Sequence, residues 1–172
     1  MGEYQKLLVK KISYTGLFNY KELFRIMDFW LRDKFYDKFE RRNEEYHTDR
    51  GIQMVTEFKP WKKVTDYYKI IIKIQFHVID TKKVEVVRNG KKVQMDDGRV
   101  DIKLTGYFIP DYEGWWSKNK NKPFHYFLRD IFERFVYWYI TRKYQGMCID
   151  HVNDLYHHLS TYLNVTPYKV EA

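Results

Sequence analysis

Alanine and cysteine are almost missing from this 172-residue chain: Ala172 is the only alanine and Cys148 the only cysteine. A single thiol excludes an internal disulfide and suits a reducing, cytoplasmic setting. Without alanine, a core must be built from rings and from Ile, Leu and Val. Phe, Trp and Tyr make up 19% of the chain, and each buried ring removes about 150 to 250 Å² from water. At this length folding is expected to hide about 70% of the unfolded chain's surface, so a core needs no staples.

Long hydrophobic runs are missing too. The longest, "FVYWYI" at 135 to 140, is far below the roughly 20 residues that cross a bilayer, so no transmembrane segment is expected. The opening "MGEYQKLLVK" resembles neither a signal region nor a myristoylation site, which argues against secretion. No P-loop and no GxGxxG follows a predicted strand, and the eight glycines are mostly absorbed by turns. Low-complexity stretches and composition breaks are also lacking, so residues 1 to 172 read as one domain.

Residues 6 to 14 read as a first strand ending near Gly16. Asn19 and Glu22 form a capping box that opens a helix. Leu23, Met27, Leu31, Phe35 and Phe39 recur every fourth residue, which predicts an amphipathic helix from 20 to about 45. From 52 onward the period becomes two. In "YKIIIKIQFHVI" the even positions 68 to 78 are apolar, while Lys69, Lys73, Gln75 and His77 alternate with them. Asn89 and Gly90 predict a two-residue hairpin that pairs Val86 with Val93 and Val84 with Met95. Asp97 and Gly98 predict a second such turn, setting Asp96 opposite Arg99 and placing the valines, Met95 and Ile102 on one face. Helices are expected from Pro123 to about 145, ended by Arg142, Lys143 and Gly146, and from 149 to 164. The fold class is therefore α+β: an antiparallel meander in the order strand, helix, five strands, two helices, with helices packed on one sheet face.

Catalytic chemistry finds little support. His151, His157, His158, Asp150 and Asp154 share the last helix, but a metal site needs ligands converging from more than one element, so no metal or other cofactor is expected. Cys148, near the expected start of that helix, would need a base. Asp96 and Asp97 suit a turn, and Asp111 and Glu113 lie in an irregular segment. The chain reads as non-enzymatic, with no catalytic residues.

Charge points to binding. The balance is 31 basic to 23 acidic residues, and 12 Lys and Arg against 6 Asp and Glu fall between Lys59 and Lys103, an excess of +6 within the predicted sheet. Tyr67, Lys69, Lys73, Gln75, His77, Lys92, Lys103, Thr105 and Tyr107 are read as one outward face. Trp115, Trp116, Lys118, Lys120 and Lys122 would extend it. Cations interleaved with stackable rings suit RNA or another anionic partner, and no element shaped for a major groove is visible. Other readings are an apolar ligand in a cavity between the sheet and the helix at 124 to 145, and a membrane-surface or scaffold protein using Trp115 and Trp116. A homo-oligomer that buries surplus rings fits each of them.

Overall fold

The computed structural model describes residues 4–38, 40–88, 91–114, 127, 131, 135 and 138–165. In chain order these are β1 (Gln5–Phe18), α1 (Tyr20–Asp33), β2 (Glu40–Thr48), β3 (Gly51–Phe58), β4 (Trp61–Lys63), β5 (Tyr68–Arg88), β6 (Lys91–Pro110) and α2 (Trp138–Val165). The six strands form one antiparallel sheet in the order β1-β6-β5-β3-β2, with β4 pairing β5. The class is α+β, as the alternating and four-spaced patterns require. No described helix is long and apolar enough to cross a membrane.

The even-numbered residues of β5, from Ile70 to Val78, and of β6, from Val100 to Phe108 except Gly106, meet Leu23, Met27, Trp30 and Leu31 of α1 and Cys148, Val152, Leu155 and Leu159 of α2 in one core. Both helices therefore cover the same sheet face. Rings tile the interior edge-on: Phe24 lies 4.8 Å from Phe76 and 5.8 Å from Phe58, centroid to centroid. Such pairs add about 0.5–1.5 kcal/mol beyond the area they bury.

Helix α1 starts where expected. The Asn19 side chain accepts from the amides of Lys21 and Glu22, satisfying donors that the first turn leaves free. The Glu22 half of the box does not form; the Asn19 amide donates instead to Tyr162 Oη. The end of the helix corrects the expectation of 20 to 45. The amide of Phe35 donates to Arg32 O and that of Tyr36 to Leu31 O, with Phe35 left-handed at φ 56°, a Schellman stop. Tyr36 then turns inward to stack on Trp30, and Phe35 is 82% exposed. The stripe ends at Leu31; Phe39 lies outside the described residues.

The first hairpin has the expected register, with Val86 opposite Val93 and Val84 opposite Met95; Asn89 and Gly90 themselves lie outside the described residues. The second turn does not form. β6 runs straight through Asp97 and Gly98, which pair with Leu17 and Gly16 of β1. The irregularity sits instead in β5, where Ile79 pairs with Arg99 and Lys82 with Asp97, one extra residue on the β5 side. Asp80 there is left-handed, at φ 51°. Two glycines make room for this bulge. A Cβ on Gly98 would stand 2.5 Å from Thr81 Cγ2 and 2.9 Å from Thr81 Cα, and one on Gly51 would stand 2.7 Å from Thr81 O. Bulges bend and twist a strand, and close approach rather than a turn is what Gly98 supplies. Because β6 is one unbroken strand, Val93 and Met95 lie on the face opposite Val100 and Ile102, not beside them.

Helix α2 is also continuous. It passes through Gly146, where a Cβ would meet nothing within 4 Å, so the expected break into two helices near that residue is absent. The start expected near Pro123 lies outside the described residues. Phe127, Ile131 and Phe135 are helical but exposed, as is Tyr139.

Candidate functional site

The sheet face away from the helices is where the expected cations were to gather, and Lys69 and Lys73 are engaged there. Lys73 Nζ lies 3.0 Å from Glu57 Oε2, which also accepts from Gln75 Nε2 at 3.0 Å. Burial opposes ionisation of Glu57, but these partners outweigh it and hold its carboxyl low. Lys69 Nζ sits 3.9 Å from the centroid of the Trp61 ring, a cation–π contact. Arg99 pairs with Asp101 at 3.0 Å, and Arg42 with Glu44. Thr105 is buried.

Lys92 does not belong to this face. Alternation along β6 turns it to the opposite side of the ribbon, 3.7 Å from Glu85. The error follows from the missing second turn, which would have reversed the side chains between Gly90 and Gly98. Tyr67 precedes β5 and packs its ring against Tyr68 at 4.9 Å. Trp115, Trp116, Lys118, Lys120 and Lys122 lie outside the described residues. Of the expected face, Lys103 and Tyr107 stay together. The structure adds Lys11, directly opposite Lys103, and Lys6, opposite Tyr107, with Tyr4 edge-on to Tyr107 at 6.1 Å. Lys6, Lys11 and Lys103 have no ion-pair partner among the described residues.

The titratable groups under the helices form a closed network. Tyr36 Oη and His151 Nδ1 are 2.8 Å apart, and Trp30 Nε1 donates to Asp154 Oδ2 at 2.9 Å. That indole, together with His158 and Lys34, holds the Asp154 carboxyl low. Burial, and then the charges of Lys62 and Lys34, push the His151 imidazole down, while Lys62 Nζ donates to Lys34 O at the end of α1. These contacts tie α1 to β4 and α2. Cys148 lies mid-helix rather than near a helix start, so no dipole favours its thiolate. Burial pushes its thiol up to about 12, and its Sγ packs over Gly106. Asp96 accepts from the Tyr20 amide, Asp111 is buried, and Glu113 accepts from Tyr112 Oη.

A concavity opens at the end of the sheet where β5 begins and β6 ends. This cleft, of about 710 Å³, has Tyr67, Tyr68 and Pro110 on the sheet side and Phe127, Ile131, Phe135 and Trp138 on the helical side. Its polar members are Gln5, Thr141, Arg142 and Gln145. Tyr68 Oη and Thr141 Oγ1 lie 2.8 Å apart, and Gln145 Nε2 donates to Gln5 Oε1 at 3.1 Å. The Arg142 guanidinium lies over the Trp138 ring, 5.0 Å from its centroid. Sequence reasoning named Tyr67 for a different surface and read Arg142 as part of a helix ending. An apolar cavity between the sheet and the helix at 124 to 145 was among the sequence readings, without lining residues; the spacing of four between Trp138 and Arg142, which stacks two side chains on a helix, is the local signal that could have found that pair.

No protein-family model matches the chain, and no curated protein or solved structure is significantly similar to it.

Proposed function

We propose that this protein binds a small, largely apolar molecule in the cleft between the end of the sheet and the start of α2, in a non-catalytic role. One observation carries the reading: four large apolar side chains stand uncovered on a concave wall. Phe127 is 62%, Phe135 73% and Trp138 50% exposed, with Ile131 beside them. Exposed rings scattered singly need no explanation, but rings gathered on a concavity of this size fit a ligand. A cytoplasmic setting accompanies this reading, since one buried thiol suits a reducing compartment.

The test is titration with N-phenyl-1-naphthylamine, a neutral fluorophore that brightens in apolar surroundings. Saturable one-to-one binding is expected, with a raised Tm and loss of affinity in Trp138→Ser and Phe135→Ser. Binding that does not saturate, or that ignores both substitutions, would remove the reading.

A second reading is supported by the opposed Lys11 and Lys103, since like charges facing each other across a ladder are unfavourable until an anion lies between them. We propose single-stranded RNA as that anion, with Tyr107 and Tyr4 as stacking surfaces. Replacing Lys6, Lys11 and Lys103 by Gln should then reduce the salt slope of binding by about 2. An unaltered slope would eliminate this surface.

A further inference from the structure

We propose that the cleft selects an amphiphile with a single carboxylate, Arg142 binding the head and the ring wall holding the chain; this rests on the cleft reading above. Arg142 is the one charged group among the described lining residues, and it has no ion-pair partner among the described residues. An acid in the ligand is what the described lining lacks. The other polar groups of the cleft are largely committed to each other, Tyr68 with Thr141 and Gln145 with Gln5, which leaves the guanidinium as the anchor for charge.

Geometry favours a planar anion. The cation–π contact with Trp138 holds the guanidinium over that ring, and a guanidinium is a planar fork able to make two parallel hydrogen bonds to a carboxylate. One cation neutralises one negative charge. A phosphate carrying two would keep a net charge beside Phe135 and Trp138, where water is displaced and an unbalanced charge is costly. Phe127, Ile131 and Phe135 recur every fourth residue and offer a row of apolar surface, suited to an extended chain.

The experiment is calorimetric titration, below micelle-forming concentrations, of dodecanoate, decanoate, dodecyl phosphate and 1-dodecanol into the wild type, Arg142→Gln and Arg142→Lys. Dodecanoate should bind the wild type about 15-fold more tightly than decanoate, from two buried methylenes. Arg142→Gln should weaken dodecanoate about tenfold and leave 1-dodecanol within about twofold. Arg142→Lys should fall between, because it keeps charge and loses the fork. Equal loss of dodecanoate and 1-dodecanol in Arg142→Gln would overturn the head-group assignment and leave the cleft reading standing. Tighter binding of dodecyl phosphate than dodecanoate would overturn the preference for a single charge. Failure of the wild type to bind 1-dodecanol would remove the cleft reading, and the assignment with it. Arg142 is exposed, so both variants are expected to keep the wild-type melting temperature.

Discussion

Replacing Gly98 by alanine probes the sheet at its tightest point. The added methyl would meet Thr81 Cγ2 at 2.5 Å, Thr81 Cα at 2.9 Å and the Ile79 carbonyl oxygen at 3.0 Å. Two of these three atoms are backbone, so rotating the Thr81 side chain does not clear the site. Either the bulge shifts or β6 moves away from β5. Overpacking of this kind costs about 2 to 3 kcal/mol, which for a domain of this length lowers Tm by about 4 to 12 °C. The same substitution at Gly146 supplies an internal contrast. There a Cβ meets nothing within 4 Å, and the helix interior gains about 0.5 to 1 kcal/mol from alanine. Urea denaturation of both variants should therefore show opposite signs from one chemical change. A double variant, Gly98→Ala with Thr81→Ser, removes the Cγ2 clash and should recover part of the loss, the contact with Thr81 Cα persisting. If Gly98→Ala were as stable as the wild type, the close approach of β5 and β6 at the bulge would be wrong.

The remaining predictions concern the end of α1 and the network beneath it. Phe35→Gly should raise stability by about 1 kcal/mol in urea melts, because a left-handed Phe is strained and its exposed ring buries little; a loss of stability would show that the ring holds the turn. Burial disfavours the charged form of His151, with Lys62 and Lys34 also opposing its charge, Asp154 and Asp150 favouring it, and Tyr36 hydrogen-bonded to its ring. Its folded pKa lies below the ordinary 6.5, so the unfolded chain takes up the proton first as the medium acidifies. The stability it contributes is complete above about pH 6.5 and is lost as pH falls towards the folded value. His151→Gln should flatten the dependence of unfolding free energy below about pH 6.5, and parallel curves would show that another group titrates there.

The alternation at 68–78 and the Asn89–Gly90 pair were sufficient for β5 and the register of the first hairpin, because pleat and turn geometry are local. Asn19 likewise marked the start of α1, since a cap needs nothing beyond its own first turn. The end of α1 could not be read. Phe35 continues a four-residue spacing that fits a longer helix, and the stop depends on Tyr36 reaching Trp30 and His151, the latter 115 residues away. Asp97–Gly98 carries a strong turn signal, yet a glycine required by a neighbouring strand looks identical in sequence to one required by a bend.

The cations of the candidate site show the same division. Composition established their excess, and alternation put Lys69, Lys73 and Lys103 on one face. Whether each is free depends on which carboxylate or ring the next strand sets beside it, as Glu57 does for Lys73 and Trp61 for Lys69. Local pattern thus determined the start of α1, the main hairpin register and the α+β class, because backbone hydrogen bonding and side-chain periodicity act over a few residues. Tertiary structure alone decided the bulge, the stop of α1 and the cleft beside Arg142, because each arises where segments distant in sequence compete for the same space.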